Sequence, residues 1–290
     1  RAFYDNNGIL QDKIYLSAYE GSIFDTSDAK QLLNDEQIAD FATDMLCSIA
    51  GAKPASGLTQ NLTRENVRKL CNNRGAGWMS SNIFSMAVTE WLLMVEYSSL
   101  DPQRKVGQGV CNFTDDGSTN MAVVTGATAG IGNGSGIPDG GEDGKCSVTY
   151  RGEENLWGNI WTWLDCINIL AKGVNEVWVT KIGTTPKDDT TEGYECLDAH
   201  ATHSNGFISA FGIDPDHPEL LIPTEASGSD TFADHVWQNY TYNGFLIAIL
   251  GGKWNSGSRC GFSLSLYNAS SYRLRNVGGR LLYVPQSKVA

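Results

Sequence analysis

Apolar positions in the first hundred residues mix two periods. Residues 10–25 alternate well enough to predict an early strand over Ile14–Tyr19, while residues 26–62 carry no decisive period. Thr63 is placed to cap a short helix running to about Cys71, with Val67, Leu70 and Cys71 on one side. The strongest helix follows. Phe84, Ala87, Val88, Trp91, Leu92 and Val95 form a single stripe at i, i+3, i+4, i+7, i+8 and i+11, and Asp101-Pro102 stops it. That stripe predicts core packing for Trp91 and its neighbours.

From Gly107 to Gly144 the chain is rich in Gly, Asp and Thr, with a long loop over Gly130–Gly144. Trp157, Trp161 and Trp163 then fall within seven residues. Strand-like runs recur at Glu176–Ile182, Phe207–Ile213, Phe245–Leu250 and Arg280–Val284. No internal repeat or low-complexity linker divides the chain, which predicts one domain over residues 1–290. Two early helices followed by many short strands in long loops is an α+β pattern.

Composition adds exclusions. Of 290 residues 41% are hydrophobic and 19% charged, with 32 glycines; ordinary chains average about 25% charged and about 7% Gly. Such a chain can bury a sizeable core and is rich in turns, so neither disorder nor a helical bundle fits. The net charge of −12 argues against a general nucleic-acid binder. No apolar run approaches the ~18 residues that cross a bilayer, so no membrane insertion is expected. Arg1–Asp5 shows neither Met nor a signal peptide and reads as the interior of a longer chain. The seven cysteines are odd in number and nowhere closer than 20 residues; they predict free buried thiols and folding in a reducing cytosol.

Charge is unevenly placed. Asp234 is the last acidic residue, and residues 235–290 carry six cations (Lys253, Arg259, Arg273, Arg275, Arg280, Lys288) and no carboxylate. Between Gly251 and Gly279 the chain is also crowded with Ser, Asn, Tyr and Gly, the residues of antibody-type contact loops.

Several motifs suggest chemistry and fail on inspection. Val123–Gly132 contains a glycine pattern like that of a short-chain dehydrogenase, but it runs into Asn133-Gly134-Ser135-Gly136-Ile137-Pro138. That segment cannot supply the helix whose N-terminus holds a pyrophosphate, and no Tyr lies four residues before a Lys. Asp115-Asp116-Gly117 and Asp139–Gly144 lack EF-hand spacing and read as solvated turns. Asp198, His200 and His203 meet no metal-ligand spacing. No nucleophile–base pair can be placed, so no catalytic residue, metal or cofactor is predicted.

Three ordered stretches together resemble the C-type-lectin-fold variable proteins of diversity-generating retroelements. One is Leu70–Trp78 leading into the Phe84–Val95 helix. The second is Tyr150–Asn155 followed by Gly158-Asn159-Ile160-Trp161-Thr162-Trp163, similar to the family's GNxWxW core. The third is Gly251-Gly252-Lys253-Trp254, then Asn268-Ala269-Ser270-Ser271 and Gly278-Gly279-Arg280-Leu281, similar to its GGxW…NxxS…GxRL ending.

The resemblance implies a C-type lectin fold in which Trp161, Trp163, Trp254 and Gly278–Leu281 are scaffold. Side chains between Gly251 and Gly279 would form a diversified surface that binds a receptor or other surface ligand. Diversification at adenines of AAC-type codons reaches Arg259, Phe262, Ser263, Ser265, Tyr267, Tyr272 and Leu274, but not Lys253 or Trp254. Upstream, Trp237, Tyr240 and Tyr242 are expected to border the same face. The implied setting is a phage tail or fibre, or a bacterial cell surface. The same superfamily contains formylglycine-generating oxidases, which need two C-terminal cysteines; here only Cys260 lies in that segment, and the expectation is that the protein is not an enzyme. A fibre module without diversification is the further alternative.

Overall fold

A computed structural model describes residues 1–34, 37–230, 234–238 and 241–287. The architecture is α+β and mostly sheet, with three α-helices among the described residues.

Helix α1 (Arg64–Asn72) begins as predicted: Thr63 accepts a hydrogen bond from the Asn66 N–H, and Val67, Leu70 and Cys71 are buried. Helix α2 (Ile83–Tyr97) is capped by Asn82, whose side chain and that of Ser85 bond reciprocally to each other's backbone N–H. It ends at Ser98 in the left-handed conformation, and Asp101-Pro102 opens the short helix α3 (Pro102–Lys105) rather than stopping α2. The predicted stripe is rotated. Phe84 and Ala87 are buried with Met86, Thr89 and Leu93, while Leu92 and Val95 face solvent. Trp91 is half-buried and its Nε1 donates to the Glu219 carbonyl at 2.7 Å. The helix packs on the hairpin of Ala210–Asp214 and His217–Glu225 as well as on the main sheet, so two surfaces set its buried face.

Among the described residues the main sheet has eight strands. In spatial order seven are Tyr194–Cys196, Asn175–Thr180, Trp161–Ala171, Gly244–Leu250, Leu264–Asn268, His235–Gln238 and Gly206–Phe207. The eighth, Val277–Gly278, lies parallel to Trp161–Thr162, and Leu264–Asn268 runs parallel to His235–Gln238. The remaining pairs are antiparallel. Of the predicted runs, Phe245–Leu250 matches closely, Ile14–Tyr19 shrinks to Tyr15–Leu16, and Phe207–Ile213 divides between the sheet and the hairpin.

The longest strand among the described residues, Trp161–Ala171, is also the most buried, and it bulges over residues 165–168, where Cys166 adopts φ +63°. Asp165 accepts Arg68 Nε and Nη2 at 2.7 and 2.8 Å, and Asp188 accepts Arg64 and Arg68. Arg64, wholly buried, also donates to the carbonyls of Leu164 and Ile167 and to Asn168 Oδ1. Two arginines of α1 thus satisfy polar atoms that the bulge removes from the ladder.

Early and late segments interlock. Tyr15–Leu16 pairs with Leu282–Tyr283, Gly21 N donates to Gly279 O, and buried Arg280 donates to the carbonyls of Ser17 and Glu154. The Gly158–Trp163 stretch is core: Asn159 Nδ2 donates to Glu20, Trp163 Nε1 to Leu62 O and Trp157 Nε1 to Gly107 O. Gly158 sits at φ +76°, and a Cβ there would lie 2.7 Å from Val110 O. The dehydrogenase-like stretch forms no strand–helix unit; within it only Ala129–Ile131 makes a 3-10 turn.

Candidate functional site

The strand Leu264–Asn268 is buried except at Tyr267, and Gly251–Cys260 and Ala269–Asn276 flank it as loops. Where these loops meet the ends of Trp161–Ala171 and His235–Gln238, they enclose an open cavity of about 370 Å3. Its walls are aromatic: Trp161 and Trp237 meet edge to face with centroids 5.0 Å apart, and Tyr272 leans edge-on to Trp163 at 6.0 Å. Tyr267 stands at the rim, 52% exposed. Polar lining comes from Asn255, Ser256, Ser265, Asn268 and Asn276, and charge from Lys253 and Arg259.

The predicted site residues divide into three groups. Trp237, Arg259, Ser265, Tyr267 and Tyr272 converge on the cavity. Leu274, 47% exposed, and Tyr242, also exposed, lie on the surface outside its lining. Phe262 and Ser263 are corrections: they face inward. Phe262 is 6% exposed and meets Trp157 edge to face at 5.8 Å. Ser263 is fully buried, its Oγ accepting the His235 N–H at 2.9 Å and donating to Cys260 O at 3.2 Å. The period-2 run Phe262, Leu264, Leu266 is the sequence signal that assigns Phe262 to the core. No comparable pattern marks Ser263, which fixes the strand entry. Tyr240 lies outside the described residues.

Trp161, expected only as scaffold, is also a cavity wall. Trp254 is buried as expected, with Lys253 Nζ and the Arg275 guanidinium 5.6 and 5.3 Å from its ring centroid.

The cationic excess of the segment is partly answered. Lys253 Nζ lies 3.3 Å from Asp115 Oδ2, and Arg275 pairs with both Asp115 and Asp116. Partial burial works to raise the Asp115 carboxyl, but bonds from Arg275, the Gly117 N–H and Lys253 hold it well below the usual range. Asp115-Asp116-Gly117 is therefore an electrostatic seat for the loops, not a free turn. Arg280 is buried; Arg259 and Arg273 have no carboxylate within ion-pair distance among the described residues. Arg259 instead lies 5.9 Å from the Trp237 ring centroid. His235, 4.1 Å from that ring, is pushed down to about 4 by burial and by Arg259, so it is neutral near pH 7.

Cys260 is fully buried, and the fold sets Cys111 beside it. A hydrogen bond from Cys260 pulls the Cys111 thiol down, while burial pushes Cys260 far up. Neither lines the cavity. Among the described residues no group of three or more His, Cys, Asp or Glu is placed to hold a metal, and no helix is long and apolar enough to cross a membrane. A larger cavity of about 450 Å3 lies between α1, residues 75–84 and residues 180–186. It holds none of the predicted site residues among those described; of its buried charges, Arg68 and Asp165 are bonded to each other and Asp5 accepts the Asn7, Ile9 and Ser287 N–H groups.

No family model and no curated protein sequence matches the chain. Among solved structures it is similar to one named Major Tropism Determinant P3c Variant, at a TM-score of 0.35 and 11% identity, over 93% of this chain. The chain spans 50% of that structure's length.

Proposed function

We propose that this protein binds a receptor through the face built by residues 251–279, and that a retroelement diversifies that face. The observation that carries the reading is the cavity, walled by Arg259, Ser265, Tyr267 and Tyr272 against Trp161 and Trp237. A concave aromatic site with a few placed polar groups is the usual form of a ligand site, and Tyr, Trp and Arg are the residues enriched at binding hot spots. The GNxWxW and GGxW…NxxS…GxRL stretches favour a C-type lectin fold of the retroelement-variable kind. Their buried Trp163, Trp254 and Arg280 fit a scaffold that stays constant while its loops change. A phage tail or fibre, or a bacterial cell surface, is the corresponding location.

The oxidase alternative gains a second thiol in Cys111, but both sulfurs are buried and away from the cavity. Binding without catalysis is therefore favoured. Two experiments test the reading. A reverse-transcriptase gene beside a near-copy of codons 251–280, differing at adenines, is expected in the neighbouring DNA; its absence removes the diversification claim. Joint replacement of Arg259, Ser265, Tyr267, Tyr272 and Leu274 by other AAC-reachable residues should leave folding intact and change which cells the protein binds.

A further inference from the structure

Three properties of the 370 Å3 cavity restrict what can fill it. Its walls are ring faces and edges from Trp161, Trp237 and Tyr272, which suit a ligand with apolar C–H surfaces. Asn276, 8% exposed and part of the lining, has a buried Oδ1 with no hydrogen-bond partner among the described residues. An unpaired buried acceptor is costly, and since Asn276 borders the cavity, a small rotation of its amide toward a hydroxyl of a bound molecule would satisfy it. Arg259 is exposed, at the cavity wall and with no carboxylate within ion-pair distance among the described residues, whereas its neighbour Lys253 is held by Asp115.

Resting on the receptor-binding reading above, we infer that the cavity takes one carboxylated pyranose, the acidic sugar of a surface glycan. Such a ring has apolar C–H faces for Trp237 and Tyr272, hydroxyls for Asn276, Asn268 and Ser265, and a carboxylate for Arg259. A neutral sugar leaves Arg259 unanswered. An acidic peptide side chain answers Arg259 but brings no hydroxyls to the amides and offers little C–H surface to three aromatic walls. The volume also lies in the range of about 300–1,000 Å3 typical of small-molecule sites.

The test titrates the protein with D-glucuronate, D-glucose and an N-acetylglutamate amide, read by tryptophan fluorescence and calorimetry. Glucuronate should bind at millimolar concentration, and glucose about ten-fold more weakly or worse, since a charge-assisted bond is lost. The glutamate derivative should bind no better than glucose. Arg259→Gln should bring glucuronate down to the level of glucose. Asn276→Ala should weaken glucuronate several-fold with no fall in Tm, because Oδ1 holds nothing within the protein; a purely structural Asn276 would lower Tm instead. Equal binding of the glutamate derivative, or no glucuronate binding, overturns the inference.

Labelled protein on a panel of bacterial strains separates the two readings. Loss of binding after periodate, which cleaves vicinal diols, supports the acidic sugar. Loss after protease alone overturns the sugar and leaves the receptor face standing. Cell binding unaffected by Arg259→Gln combined with Tyr267→Ser overturns both.

Discussion

Phe262 and Tyr267 are five residues apart in one diversifiable segment, yet they should respond oppositely to the same exchange. Phe262 is 6% exposed and packed edge-on to Trp157, in a cluster with Leu264 and Leu266. Removing a buried Phe ring costs about 3–5 kcal/mol, and Phe262→Ser adds an unpaired hydroxyl. At about 2–4 °C per kcal/mol for domains of roughly 150–250 residues, the Tm of Phe262→Ser should fall by roughly 6–20 °C. Tyr267, at the rim and 52% exposed, is a surface substitution worth within about 0.5 kcal/mol, so Tyr267→Ser should move Tm by less than about 2 °C while altering binding. Differential scanning calorimetry of the two variants, beside cell binding of each, decides the matter. If Phe262→Ser melts with the parent protein, or Tyr267→Ser melts as low as Phe262→Ser, the division between core and display positions is wrong.

Other consequences follow from buried polar groups. Burial pushes Glu20 up from 4.5 to about 8 against the opposing pull of Arg280, so the folded state holds its proton more tightly than the unfolded state. Stability from this group is complete below about pH 4.5 and is lost as pH rises through about 8, up to about 5 kcal/mol at about 1.4 kcal/mol per unit. Glu20→Gln should reduce the decline of Tm between pH 5 and 9 by its own share, leaving the slopes of Glu90, raised to about 8 by burial, of Glu153, raised to about 7 by burial, and of Asp234, pushed well up by burial; an unchanged slope refutes the assignment. Arg280→Met strips a donor from the Ser17 and Glu154 carbonyls and should cost about 3 kcal/mol or more, visible as a lower urea midpoint. Cys260→Ser, at a buried sulfur donating to Lys253 O, should lower Tm by a few degrees without affecting cell binding. Association with an acidic ligand should weaken as salt rises past the ~10 Å Debye length of 0.1 M, and Arg259→Gln should remove most of that dependence.

What the sequence made legible was local. Thr63 before α1 and the start of α2 are readable because a cap and an apolar period lie within a few residues of what they control. The rotation of α2 was not readable, since it depends on the Glu219 carbonyl in a hairpin more than a hundred residues away. Leu164–Ala171 hid for the same reason. Asp165 and Asn168 interrupt its apolar run, and only partners from α1 and from residues 187 and 190 make them acceptable in a core strand. At the site, Arg259, Tyr267 and Tyr272 came from the motif resemblance. The unpaired Oδ1 of Asn276 and the Asp115 seat did not, because neither the missing partner of an amide nor a long-range ion pair leaves a trace in spacing.

The segment's two ends are fastened close together. Gly158 N donates to Gly251 O, and Trp161 N donates to Asn276 O, so entry and exit are tied to backbone groups three residues apart. Inside it, Leu264–Asn268 is held by the sheet on both sides, which leaves residues 269–275 outside any regular strand, moored by Leu274 O to the Gly57 N–H and by Arg275 to Asp115 and Asp116. Closing a flexible loop costs only about 0.6 kcal/mol more for each doubling of its length. The number of residues on this face is therefore a second variable alongside their identity. Lineages that gained or lost codons between Asn268 and Asn276 could reshape the cavity mouth in steps larger than any single side chain allows.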